Sequence, residues 1–289
     1  MRIDNLLDRG VVSLHFMEQQ KPVDAVATPF PSWNRQCRDD GGGKGLARGW
    51  YVTVAGATGS GKSLLGINLA AKAIRAGERV GYVTAEMSHG QLATRLFAAL
   101  TGTAVRGLER GSFDPNLMRS ATAELDRISN TSGGAFFTTD HPVHTLPEVQ
   151  RLLVRLRDDL KCTFYVIDYL QLLVARDTEK LFTAVSDASA MCREFARRSN
   201  AVVIGLSQFN RRTTTARKAR PMVDGLMGAS SIENDSDQVV MLDHTRIKKA
   251  GDGQKQSYLL IGKNRHGGKG EIPVLWDYNT LRVWEREPE

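Results

Sequence analysis

The sequence predicts an α/β fold, a mostly parallel sheet held between helices, and two observations carry that expectation. From residue 45 onward, short apolar runs alternate with helical periodicities, the pattern of strands joined by helical crossovers. Among them, residues 56–63 read GATGSGKS and match the phosphate-binding pattern G-x-x-x-x-G-K-[ST] at every fixed position. The run WYVTVA precedes this loop and LLGINLAAKAI follows it, so the order is strand, glycine loop, helix. In that order backbone N–H groups surround the β- and γ-phosphates of a nucleoside triphosphate at a helix N-terminus. Gly56, Thr58, Gly59, Ser60 and Gly61 then line the phosphates, Lys62 reaches the terminal ones, and the Ser63 hydroxyl holds Mg²⁺.

Taken in order, residues 1–20 read as an amphipathic helix with Ile3, Leu6, Leu7, Val11 and Leu14 on one side, interrupted by Gly10. Residues 21–44 carry Pro22, Pro29, Pro31 and three consecutive glycines, the composition of a linker followed by a loop. Residues 45–289 are then one domain. Its first helix stops at Gly77, and residues 80–84 form a short buried strand. Ser88 and Gln91 form a capping box for a helix through Leu100. Asp114 caps another that opens on Pro115, and Thr145 with Glu148 starts a third that runs to about Leu160. Residues 162–167 are continuously apolar and end in Asp168; residues 201–206 are a second such run, followed by Ser207 and Gln208. Later strands are expected at residues 238–242, 258–262 and 271–276.

Hydrophobic content of 41% suits a globular chain with a sizeable core. Lys and Arg outnumber Asp and Glu by 39 to 32, a surplus that suits a polyanionic partner without demanding one. Cys37, Cys162 and Cys192 show neither metal spacing nor a disulfide framework, which points to a reducing compartment, the cytoplasm. No apolar run reaches membrane-spanning length, and the N-terminus lacks the features of a signal peptide.

Hydrolysis of a γ-phosphate needs a metal site, a group that activates water, and positive charge against the transition state. Asp168, directly after a buried strand, is placed to hold Mg²⁺ with Ser63. Glu86 follows residues 80–84 in the same manner, with the phosphate-loop strand as its expected sheet neighbour, and is placed to polarise an attacking water.

The surroundings of these residues resemble a known family. Residues 84–96, TAEMSHGQLATRL, resemble the E-M-S-x-x-Q-L-x-x-R segment of the hexameric replicative helicases of the DnaB family. Residues 166–172, VIDYLQL, resemble that family's metal-binding strand. Residues 206–211, 220–222 and 228–237 resemble its next block, and residues 262–267, GKNRHG, its K-N-R-x-G motif. The resemblance spans residues 45–284 and implies a RecA-like P-loop fold with ATP and Mg²⁺ as cofactors. It implies Glu86 as catalytic base, Asp168 as metal-site acid, and Gln208 as a sensor of the γ-phosphate. Lys263 and Arg265 resemble the pair that reaches the neighbouring subunit's nucleotide, Arg265 being the arginine finger.

A finger supplied in trans implies a ring, usually a hexamer, and residues 1–20 would be its linker and oligomerisation helix. The family's separate N-terminal helical domain has no counterpart in this sequence. Arg211, Arg212, Arg217, Lys218 and Arg220 fall where the resemblance places the loops that grip single-stranded DNA. Such a patch neutralises phosphates without reading bases, although solvated loops carry similar charges. Met227 and Gly228 depart from the family pattern, which has arginine and glutamate there. The expected function is a DNA helicase travelling 5′ to 3′ in replication, with a loader or primase as possible partner. A nucleotide-gated scaffold or loader ring, and a branch-migration motor, stay open as alternatives.

Overall fold

The structure, a computed structural model, describes residues 24–39, 43–111, 114–141, 143–173, 181–209, 220–226 and 228–286. The helix expected over residues 1–20 and the side chains Arg211, Arg212, Arg217, Lys218 and Met227 lie outside them. A short antiparallel pair, β1 (Ala25–Val26) and β2 (Leu46–Ala47), leads into the main strands. These are β3 (Tyr51–Gly56), β4 (Arg79–Thr84), β5 (Ala135–Phe137), β6 (Phe164–Asp168), β7 (Val202–Gln208), β8 (Gln238–Gly251), β9 (Gln254–Asn264), β10 (Gly270–Asp277) and β11 (Arg282–Glu285). They form one sheet in the order β11-β10-β9-β8-β3-β7-β6-β4-β5. The run from β5 to β8 is parallel, and the run from β8 to β11 antiparallel.

Alternation along the central strands feeds two cores, one on each face of the sheet. Val52, Val54, Phe164 and Val166 point to one side, against Leu65, Ile67 and Leu69 of the helix Lys62–Arg75. Tyr51, Tyr165 and Ile167 point to the other, against Val149, Leu153 and Leu156 of Leu146–Asp158 and against Ala188, Cys192 and Ala196 of Leu181–Ser199. All three cysteines are buried and free. The predicted caps form: Ser88 and Gln91 bond reciprocally, as do Thr145 and Glu148, and Asp114 accepts from the Asn116 N–H at 2.8 Å.

Three features differ from the sequence reading. The strand before Glu86, β4, lies between β6 and β5, not beside the phosphate-loop strand, whose neighbours are β7 and β8. Residues 24–39, read as part of a linker, are packed on the domain. Pro31 opens the helix Pro31–Gln36, and Phe30 and Trp33 are wholly buried with rings 5.9 Å apart. The Trp33 indole N–H donates to Gln238 Oε1 at 2.9 Å, at the start of β8. Pro density signals linker and helix start alike, and Trp33 decides between them only once its partner is in place. β8, expected over five residues, runs on to Gly251 as an exposed ribbon with β9. Its polar second half lacks the apolar signal of a buried strand. Among the described residues no helix is long and apolar enough to cross a membrane.

Candidate functional site

The C-terminal ends of the parallel strands gather the chemistry, the usual ligand edge of an open α/β sheet. β3 ends at Gly56, and the loop that follows turns on Gly59 (φ +71°) and Gly61 (φ +92°) before the helix Lys62–Arg75 begins. Both angles favour glycine, and at Gly61 a Cβ would also sit 3.0 Å from the Trp276 ring. Lys62 is buried, and its Nζ donates to the carbonyls of Gly56 at 3.1 Å and Ala57 at 2.9 Å. Burial pushes its pKa down to about 8, against the opposing pull of Asp168 and Glu86. Thr58 and Gly59 face solvent, while Ser60 and Ser63 are half-buried.

Asp168 ends β6 and is 1% exposed. The Tyr82 hydroxyl donates to its Oδ2 at 2.9 Å, and Oδ1 has no hydrogen-bond partner among the described residues. Burial raises its pKa above the usual carboxylate range; Ser63 and Tyr82 favour the charged form, and Glu86 opposes it. A buried, unpartnered carboxylate oxygen close to a serine hydroxyl is the hard oxygen donor set that suits Mg²⁺, so the residues present fit the ion. Thr84 stands opposite Asp168 in register, and its Oγ1 accepts from the N–H groups of Glu86 and Met87, each at 3.2 Å. That turn brings the exposed Glu86 out at the same edge. Gln208 ends β7 directly opposite Gly56, and its N–H donates to Gln171 Oε1 at 3.2 Å. Lys62, Ser63, Glu86, Asp168 and Gln208 therefore share one edge of the sheet.

Lys263 and Arg265 do not join them. The Arg265 N–H donates to the Asp237 carbonyl, and the Asp237 N–H to the Tyr51 carbonyl, which places both at the start of β3. Five residues of strand, roughly 17 Å, separate that point from Gly56. The Lys263 ammonium donates to the carbonyls of Glu233 and of Ser236, the latter at 2.9 Å, and the Arg265 guanidinium donates to the Asn234 carbonyl. These carbonyls close the helix Ala229–Asp235, whose C-terminus attracts cations. Burial lowers the Lys263 pKa, and the Arg265 charge lowers it further.

Of the expected DNA-contacting side chains only Arg220 lies among the described residues. It is mostly exposed and pairs with Glu271 on β10 at 2.6 Å, an acid that sequence proximity does not reveal. Phe209 and Leu226 form an antiparallel bridge. Three residues at the ligand edge escape sequence reasoning: Tyr82 contacts Asp168, while His244 and Trp276 back the glycine loop. They come from strands that only the sheet order brings together, and no fixed spacing announces them.

Residues 40–285 match the model of the DnaB-like helicase C terminal domain. A probable plasmid replicative DNA helicase of Chlamydia psittaci is 28% identical over 225 residues, covering 77% of this chain and 48% of that protein. The replicative DNA helicase DnaB of Geobacillus stearothermophilus is 27% identical, covering 91% of this chain and 58% of that one. The chain thus spans about half the length of the curated relatives it matches. Among solved structures, a DnaB-like replicative helicase described with its interactions with primase superposes with a TM-score of 0.77 at 20% identity. That superposition covers 99% of this chain and 68% of the other. A KaiC-like protein of Pyrococcus horikoshii gives 0.58 at 15% identity, covering 92% of this chain and all of the other. The fold is RecA-like, as expected. With the match running over most of its length, the chain belongs to the DnaB-like helicase C-terminal domain family.

Proposed function

We propose that this chain is the ATP-hydrolysing domain of a ring-shaped replicative helicase that travels along single-stranded DNA, in the 5′-to-3′ direction. The observation that carries the reading is the separation of its motif residues. Lys62, Ser63, Glu86, Asp168 and Gln208 stand at one edge of the sheet, and Lys263 with Arg265 at the other. A finger that far from its own phosphate loop can serve only a neighbour's nucleotide, so turnover requires a ring, proposed to be a hexamer.

In this reading Lys62 and the loop N–H groups bind the phosphates of ATP. Ser63 and Asp168 would hold Mg²⁺, which when bound would neutralise charge on the phosphate oxygens. Glu86 orients and deprotonates water, and Gln208 senses the γ-phosphate from beside Gly56. Arg265 and Lys263 of one subunit then meet the transition-state charge in the next. Residues 1–20 are proposed to link subunits. Arg211, Arg212, Arg217, Lys218 and Arg220 are proposed to grip the DNA backbone, and a loader or primase to be the protein partner in the cytoplasm.

Strand displacement on a forked duplex tests the whole reading, with Lys62→Ala as the blank. ATP-dependent displacement that needs a 5′ single-stranded tail is expected, and none from the variant. ATP turnover stimulated by single-stranded DNA with no displacement would favour a loader ring instead.

A further inference from the structure

A loop that turns its N–H groups toward an anion turns carbonyls the other way, and those carbonyls need donors of their own. In the glycine loop Lys62 serves the carbonyls of Gly56 and Ala57. The Ser60 carbonyl lies 2.8 Å from Nε2 of His244, a residue contributed by β8 from the neighbouring strand. Taking residues 56–63 as the phosphate site, we infer that His244 is a positioning residue of that site, holding the Ser60 carbonyl so that the loop is shaped for phosphate before nucleotide arrives.

The geometry assigns the tautomer. A carbonyl only accepts, so the proton sits on Nε2. Nδ1 is buried with no partner among the described residues, so a second proton there would have no acceptor. Burial also lowers the His244 pKa and keeps the ring neutral near pH 7. Lys255 acts in the same direction, while the Ser60 carbonyl and Asp243 oppose it. The Asp243 carboxylate is already engaged by Thr245, through N–H at 2.9 Å and hydroxyl at 2.6 Å, and by Arg246. The imidazole is held in place by Trp276, with ring centroids 5.5 Å apart. Trp276 is itself wholly buried, anchored by its indole N–H to Ser257 Oγ at 2.6 Å, and packed on Gly61. Ring and indole together form a wall on which residues 60 and 61 rest.

The test measures ADP affinity of the full chain by calorimetry in wild type, His244→Leu, His244→Asn, His244→Gln and Lys62→Ala. A glutamine carboxamide reaches the depth of Nε2, whereas asparagine reaches only that of Nδ1. Loss of the one hydrogen bond should weaken ADP by about tenfold in the leucine and asparagine variants, while glutamine stays within about twofold of wild type. Because asparagine and glutamine are both polar and smaller than the ring, their contrast reads the hydrogen bond even where leucine disturbs folding. Wild-type affinity in the asparagine variant, or equal weakness in asparagine and glutamine, would overturn the role of His244 while Lys62→Ala still loses ADP. Undiminished ADP binding by Lys62→Ala would instead remove the phosphate site itself, and this inference with it.

Discussion

Lys62 carries the strongest conflict at the scale of single residues, a cation buried beneath its own loop with two carbonyls as its neutral partners. Burial leaves its pKa at about 8 in the free chain. The phosphates of ATP would raise it, so between the free and bound values binding takes up a proton and affinity falls as pH rises. Calorimetry at about pH 8.5 in two buffers of different ionisation enthalpy should show uptake of at most about three-quarters of a proton, small at about pH 6.5. No uptake at the higher pH would contradict it. Lys62 and Ser63 were legible because a phosphate cradle needs glycines, lysine and a hydroxyl at fixed spacing along one chain. Tyr82, which fixes Oδ2 of Asp168, and His244, beneath Ser60, were not, because each acts across strands distant in sequence.

Among the elements, those set by local chemistry were readable and those set by their partners were not. Capping boxes close within four residues, so Ser88 with Gln91 and Thr145 with Glu148 announce their helices directly. The helix Pro31–Gln36 depends on what Trp33 and Phe30 bury against, which proline-rich composition conceals. If residues 24–39 are integral to the domain, Trp33→Ala should cost about 3–5 kcal/mol in denaturant unfolding. A loss under about 1 kcal/mol would mark a detachable linker. The exposed half of β8 was missed for a related reason. Its pairing with β9 runs on in solvent, so its side chains carry no burial pattern.

For the molecule as a whole, fold class and family followed from the motifs, but the sheet order did not. β7 between β3 and β6, and β4 beyond β6, fix which motif residues meet. The same order carries β8 and β9 back along β3, so that Lys263 and Arg265 end at the edge away from the phosphate loop. No linear spacing contains that separation, and on it rests the proposal that each nucleotide is shared by two subunits. Mixing two inactive variants measures the sharing directly. Lys62→Ala subunits keep the finger, and Arg265→Ala subunits keep the phosphate loop, so a mixed ring contains interfaces with both. An equimolar mixture should recover about a quarter of wild-type ATP turnover under random assembly, while each variant alone recovers none. A mixture as inactive as its components, with mixed rings shown to form, would contradict the shared site.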